Sequence, residues 1–241
     1  MKRLCCSILV LFLLLPGLSF RAFRASAQTF PSGPEWLEYS IRHNMFPGNV
    51  GRMTFQGKDS GSDYHVDAQL KVSIVGIYSL DCTYGATFRK DAALTPLKAT
   101  RDHQEKKYTV KAFYDWSAPG TVHLDVTKST RPHRDQTLKW NGTVRDLVNM
   151  IWWLRSLDYS GDLTRYSGQA LLLDHDALPV RIASVQRQTA KYKGKVVQTL
   201  NVSLVQGDKE ALHLTFIDDA SHTLLKFSIA LSFGTIRGTL R

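Results

Sequence analysis

The sequence predicts an all-β protein, mainly antiparallel, built as a large curved sheet or an open or closed β-barrel with one central α-helix packed against it. Three observations carry that expectation. Apolar and polar residues alternate with a period of two over most of the chain, as where Tyr64, Val66, Ala68, Leu70, Val72 and Ile74 interleave with His65, Asp67, Gln69, Lys71 and Ser73; this is the pattern of half-buried strands. Polar or Gly/Pro turns separate such runs at hairpin spacing, which points to antiparallel neighbours and away from βαβ units. A single stretch after the N-terminus, Thr143 to Leu157, follows helical spacing instead, with Val144, Leu147, Val148, Ile151, Leu154 and Leu157 on one face.

In chain order, Lys2 and Arg3 precede an apolar run from Leu4 to Leu15, a break at Pro16-Gly17, and Ala25-Ser26-Ala27. Charged head, short apolar middle and A-x-A site predict a secretory signal over residues 1–27, cut between Ala27 and Gln28. The apolar run falls short of the ~20 residues a spanning helix needs. Residues 28–241 then form a single exported β-barrel-like domain, within the ~200–250 residues that such folds reach as one unit. Cys82 would be its one cysteine, so stability rests on packing and not on an internal disulfide.

Strands are expected at Glu35–Arg42, Val50–Gln56, Tyr64–Ile74, Cys82–Arg89, Leu97–Arg101, Tyr108–Asp115 and Thr121–Thr127. After the helix they are expected at Arg165–Leu173, Leu178–Thr189, Lys195–Gln206, Glu210–Asp218, Thr223–Phe233 and Thr235–Leu240, roughly a dozen in all. The tract from Gly57 to Asp63 reads as a turn by composition, and Tyr192-Lys193-Gly194 and Gly207-Asp208 read as hairpin tips.

The formal charge is +10, four of those charges lying in the signal segment. The remaining basic residues are dispersed, which suits a solvated surface or peripheral contact with anionic membrane or polysaccharide. Export argues against nucleic acid as a partner.

Chemistry-bearing patterns are sparse. Asp174-His175-Asp176, with His213 and His222 further on, offers metal-ligating types, but neighbours on an extended chain point opposite ways and do not converge on one ion. No HExxH, paired CxxC or EF-hand spacing is present, and no G-x-S-x-G elbow. Asp218-Asp219 could act as paired carboxylates, although aspartates at a strand end ordinarily cap the turn. No catalytic residue, metal ligand or cofactor is assigned, and the protein is expected not to be an enzyme.

At ~100° per residue, the helix places Val144, Leu147, Val148, Ile151, Trp152 and Leu154 on one arc and Arg145, Asp146, Asn149 and Ser156 on the other. Arg155 breaks the division, projecting within ~40° of Val144 and Ile151, so its guanidinium must snorkel out or meet an acceptor. One reading is a structural salt bridge to Asp218, Asp219 or Glu38. The other makes Arg155 the polar anchor at the mouth of an apolar cavity, with Trp152, Met150 and Ile151 against the ligand's greasy part. Trp153 falls among the polar positions and should lie under a loop or stay partly exposed; with Trp152 it forms packing or a ligand stack.

Asp146 to Asp162, DLVNMIWWLRSLDYSGD, resembles the central motif of the bacterial exported family known as domain of unknown function 3108. That motif is an Asp-led helix, two aromatics, Leu-Arg, a Leu and a Gly-Asp turn, matched here by Asp146, Trp152, Trp153, Leu154, Arg155, Leu157 and Gly161-Asp162. Glu35 to Tyr39, Lys193-Gly-Lys195, Phe216 to Asp219 and Ser232 to Ile236 extend the likeness. In the late strand this chain has Phe216 and Ile217 where the family tends to have Trp and Ser. The resemblance implies an envelope protein of barrel-like antiparallel fold and supplies no reaction. Its general shape is similar to the carriers that shuttle lipoproteins across the periplasm.

The function expected is therefore non-enzymatic binding of a lipid or other apolar ligand in a barrel cavity, in the periplasm or at the outer membrane. The alternative is a structural or assembly partner acting through a protein surface, by a strand edge or by Trp153, in contact with the membrane or envelope proteins; a hydrolase stands a distant third.

Overall fold

The same alternation that marks single strands in the sequence builds one continuous sheet in the computed structural model, which describes residues 33–241 apart from 75–77, 106–107, 174 and 232–233. The expected signal segment lies outside the described residues. The first half of the sheet is β1 (Glu35–His43), β2 (Phe46–Ser60), β3 (Asp63–Ile74), β4 (Tyr78–Arg89), β5 (Pro96–Glu105), β6 (Tyr108–Ala118), β7 (Thr121–Lys128) and β8 (Arg131–Lys139). The second half is β9 (Thr143–Arg145), β10 (Gln169–Leu173), β11 (Asp176–Tyr192), β12 (Lys195–Gln206), β13 (Lys209–Ile217), β14 (Leu224–Leu231) and β15 (Gly234–Leu240). Between β9 and β10 run the helix α1 (Leu147–Ser156) and a 3-10 turn at Leu163–Tyr166.

Consecutive strands are neighbours except β8 and β9, and β1 pairs with β15, so β8 and β9 are the two edges. Every pairing is antiparallel except β9 with β10. The sheet curls into a barrel-like shell that is not closed by strand pairing. Across the seam between its edges, the Gln136 amide donates to the His175 carbonyl at 3.1 Å and the Trp116 indole to the Val144 carbonyl at 2.8 Å. Register shifts of one residue at Thr87/Phe88, Ile182/Ser184 and Thr215/Phe216 are bulges, and a bulge bends its strand and steepens the local twist.

Several expected elements fall differently. The Gly57–Asp63 tract is strand as far as Ser60, because Gly57 to Ser60 pair in register with Val66 to Asp63. The strand expected from Arg165 begins only at Gln169, the preceding residues forming the 3-10 turn. The helix expected over Thr143–Leu157 starts at Leu147, since Thr143 to Arg145 pair in parallel with Gln169 to Leu171. That pair depends on glycine: Gly142 has φ +136°, and a Cβ there would collide with the Gly168 carbonyl oxygen, which the Thr143 N–H uses at 3.1 Å. Gly142→Ala is expected to cost about 1–3 kcal/mol, read as a lower denaturation midpoint.

The topology puts the β1–β2, β7–β8 and β12–β13 connections at one end of the shell. The β2–β3, β4–β5, β6–β7 and β13–β14 connections lie at the other. Helix α1 lies inside this second end: Arg145 just before it reaches the β4–β5 connection, and Arg155 near its C-terminus reaches β1 and the β13–β14 connection. The helix is a plug, buried all round from Val148 to Arg155.

Candidate functional site

A helix buried on every side must satisfy its polar groups internally, and α1 does so at both ends. Asp146 is its N-cap, accepting from the Val148 and Asn149 N–H groups at 2.8 and 3.2 Å and from the Asn149 amide. Burial pushes the Asp146 carboxyl up, and those hydrogen bonds hold it back. At the C-terminus the Tyr159 hydroxyl donates to the Leu154 carbonyl at 2.6 Å, and His222 Nδ1 to the Arg155 carbonyl at 2.7 Å. A carbonyl only accepts, which fixes the proton on Nδ1. His222 holds this contact with a left-handed φ of +41°.

The polar side assigned to Arg145, Asp146, Asn149 and Ser156 is thus not a solvent face. Arg145, Asp146 and Asn149 are buried, and only Ser156 is partly exposed. Arg145 is 1% exposed and donates to the Ala93 and Leu94 carbonyls at 2.6 Å each and to the Gln169 side chain at 3.0 Å. Burial pulls its guanidinium below the ordinary arginine range, while Asp146 and Asp91 push it back.

Arg155 meets neither Asp218, Asp219 nor Glu38. Its two terminal nitrogens grip the Glu35 carboxylate at 2.7 and 2.8 Å, and it also donates to the His222 and Ser221 carbonyls at 3.1 and 3.3 Å. The other candidates are engaged elsewhere: Asp218 with Arg187, Glu38 with Arg241, and Asp219 with the Ser221 and His222 N–H groups of its own turn. Glu35 opens β1 next to the plug, whereas Glu38 faces the other side of that strand. The parity of the strand therefore selects the partner.

The two tryptophans each carry one guanidinium. Arg155 lies 5.0 Å from the Trp152 ring and Arg145 5.1 Å from that of Trp153, within cation–π range. Trp152 also packs on Phe55, while Trp153 is 3% exposed and sits edge-on to Tyr166 in the 3-10 turn. Of the two outcomes expected for Trp153, it takes cover under the connection. The motif Asp146 to Asp162 thus builds the plug.

The principal cavity lies elsewhere in the shell. It has a volume of about 740 Å³ and runs from Asp146 and Leu147 at the start of the plug to Glu105, Tyr108, Gln206 and Lys209 at the opposite end of the shell. None of Arg155, Trp152, Met150, Ile151 and Trp153 lines it. Arg155 borders a smaller polar recess of about 280 Å³, shared with Arg187, Asp218, Asp219 and His222. The reason is directional: the plug spends its apolar arc and its arginine on fixing itself in one end, leaving the space on its other side.

The lining of the cavity is mixed on both sides. On one, Leu171 and Leu172 of β10, Leu212 of β13 and Phe227 and Ile229 of β14 border it together with Gln206, Lys209 and Glu210. On the other, Tyr84 of β4, Arg101, His103 and Glu105 of β5, and Tyr108 and Tyr114 of β6 border it together with Met53, Leu70, Leu80 and Ala99. Arg101 lies 5.9 Å from the Tyr84 ring, its Nη2 is 3.4 Å from His103 Nδ1, and His103 Nε2 is 3.5 Å from Glu105. Burial first, and then the Glu105 carboxylate, push the Tyr78 phenol up to about 12. His103 is 12% exposed and Glu105 32%, so the stripe rises from the interior toward the mouth. The strand expected to end at Arg101 runs on to Glu105, and its alternation, continued by four residues, puts His103 and Glu105 on the same inner face.

The remaining reactive types are dispersed. Cys82 is buried, and burial pushes its thiol up. His213 is held by Glu210 and Ser203, far along the sheet from His222. Asp174 lies outside the described residues. Among those described, no three His, Cys, Asp or Glu side chains are grouped to hold a metal ion.

Comparison with known proteins bears on the fold. No curated protein matches the chain. Among solved structures it is similar to a beta-barrel-like protein of domain of unknown function DUF1849 from Brucella abortus, with a TM-score of 0.52 at 13% identity, over 87% of this chain and 96% of that one. At that identity the likeness is one of architecture. A family model described as protein of unknown function (DUF3108) matches residues 38–241, and the chain therefore belongs to that family.

Proposed function

We propose that the protein is a non-enzymatic binding protein of the cell envelope that holds a lipid-like ligand in the space between its plug and the far end of its barrel. The observation that carries this reading is the cavity of about 740 Å³, bordered by many apolar residues, among them Met53, Leu70, Leu80, Leu212, Phe227 and Ile229. Its volume lies within the ~300–1,000 Å³ of pockets that enclose a small ligand, and a packed interior has few voids larger than a water molecule. The order of features in residues 1–27 supports an exported location, and the likeness to periplasmic lipoprotein carriers serves as an analogy of shape.

Native mass spectrometry of protein extracted gently from its own host tests the proposal. A ligand of lipid mass is expected to travel with the chain. Ala99→Phe, which adds a ring at a buried position bordering the lumen, is expected to remove that ligand and to lower the denaturation midpoint by an overpacking cost of about 1–3 kcal/mol. A wild-type chain that always emerges empty overturns the reading.

The alternative, assembly through a protein surface, draws on the free edge at β8. That strand carries Arg131, Pro132, Arg134 and Lys139, residue types that blunt an edge against strand addition. Trp153, the other contact that this alternative relied on, is buried.

A further inference from the structure

We infer that the outer face of β15, β1 and β2, together with the β1–β2 tip, docks the protein on a bilayer of anionic phospholipid. Along the chain the basic residues are dispersed, but strand register gathers four of them on this face. Arg42 of β1 stands directly opposite Arg237 of β15. One row further from the tip, Arg52 of β2 faces Ser40, and Lys226 of β14 faces Thr239, the partner of Ser40. All four are exposed, and among the described residues none of them has an ion-pair partner. Their strands bury Tyr39, Ile41, Met53 and Ile236, so parity sends the charges outward.

Like charges directly opposite each other destabilise a sheet, and Arg42 with Arg237 carries that cost with no ion pair to offset it. The flanking carboxylates are engaged: Glu38 with Arg241 at 2.8 Å, Asp81 with Lys71 at 3.1 Å, and Glu210 with His213 and Ser203. The face is left with a surplus of positive charge, which an anionic surface would relieve.

A second observation selects the kind of anion. At the tip of the same hairpin Met45 is 61% exposed. It lies three residues from Arg42, hence within ~10 Å along the chain. A soluble polyanion offers a thioether nothing, whereas the boundary of a bilayer takes up an apolar side chain while its phosphates meet the guanidiniums beside it. A basic residue close to an anionic membrane raises binding about fivefold, a gain that fades within a Debye length. Arg42 and Arg237, in the row next to the tip, should therefore count most. The tip lies at the end of the shell where Glu105, Tyr108, Gln206 and Lys209 border the cavity, so docking turns that mouth toward lipid. Docking does not depend on what the cavity holds.

Co-sedimentation of the protein, purified from its own host, with vesicles of phosphatidylglycerol and phosphatidylcholine in equal parts, and with phosphatidylcholine alone, tests this. Binding is expected to favour the anionic vesicles and to weaken as salt is raised. Arg42→Gln with Arg237→Gln is expected to lower that affinity about thirtyfold without lowering the denaturation midpoint, since a repulsion is removed. Met45→Ser should lower it about tenfold. Lys191→Gln with Lys195→Gln, the same loss of charge at the opposite end of the shell, should leave it unchanged. All variants carry the same N-terminal segment, so a difference between them belongs to the face. Equal binding to both vesicles, or to neither, overturns the docking. A preference that survives the double arginine variant, or that the lysine variant loses equally, overturns the assigned face. Affinity for dextran sulfate equal to that for anionic vesicles, with Met45→Ser silent, overturns the bilayer in favour of a soluble polyanion.

Discussion

Replacing Arg155 by leucine is expected to destabilise the protein by about 3–5 kcal/mol, the usual cost of removing one partner from a buried ion pair. Any ligand held in the main cavity should be left in place. Arg155 is 2% exposed in its side chain and Glu35 17%, so the orphaned carboxylate keeps little water. The Ser221 and His222 carbonyls lose their donor as well. Urea denaturation measures the loss, and the double variant Arg155→Leu, Glu35→Leu divides it. The pair's share should return when both charges are gone, while the share due to the two carbonyls should not. A variant that denatures like the parent would show that the grip on β1 does not hold the plug.

Arg145→Met is expected to cost about 1–3 kcal/mol or somewhat more, since it leaves the buried Leu94 carbonyl without a donor, while the part-buried Ala93 carbonyl and Gln169 side chain can turn to water. The effect should concentrate in the β4–β5 connection. There Leu94 is buried with φ +44°, and the Asp91 side chain accepts from the Ala93 and Thr95 N–H groups. Arg145 closes that loop from inside by taking both of its inward carbonyls. Hydrogen exchange at Ala93 to Thr95 should rise by more than at the centre of β3. Arg145→Lys should not rescue it, because one ammonium cannot bridge two carbonyls and a side-chain amide in the geometry of a fork. Unchanged exchange in that loop would overturn the assignment.

These two arginines show where the sequence was legible and where it was not. Strands with one face in the core and one in water, such as β3, declare themselves by alternation, because burial is the cause of the pattern. Strand β8 did not, since Arg131 to Asp135 are exposed on both faces and only pairing with β7 makes them a strand. The apolar spacing marks the helix, but the spacing does not say what its polar side meets. Arg145, Asp146 and Asn149 are satisfied by a cap and by carbonyls from a connection some fifty residues earlier, a distance that no local period encodes. The anomaly at Arg155 was legible as a buried charge. Its partner was not, because the choice between Glu35 and Glu38 depends on which face of β1 turns inward. The lumen escaped for a related reason: alternation tells inside from outside only when the inside is apolar, and Arg101, His103 and Glu105 look like an outer face.

The seam of the sheet falls in the middle of the chain, while its two ends are joined, with Arg241 bonded to Ser40 and Glu38 across 201 and 203 residues. Each half can therefore zip up hairpin by hairpin from local contacts, β1 through β8 and β10 through β15, with β9 joining in parallel across the helix. The joint between β1 and β15 waits for the whole chain. Closing so long a loop is what slows folding in sheets of high contact order. Until it happens, β1 and β15 are two bare edges, each the natural template for the other and for a second unfinished molecule.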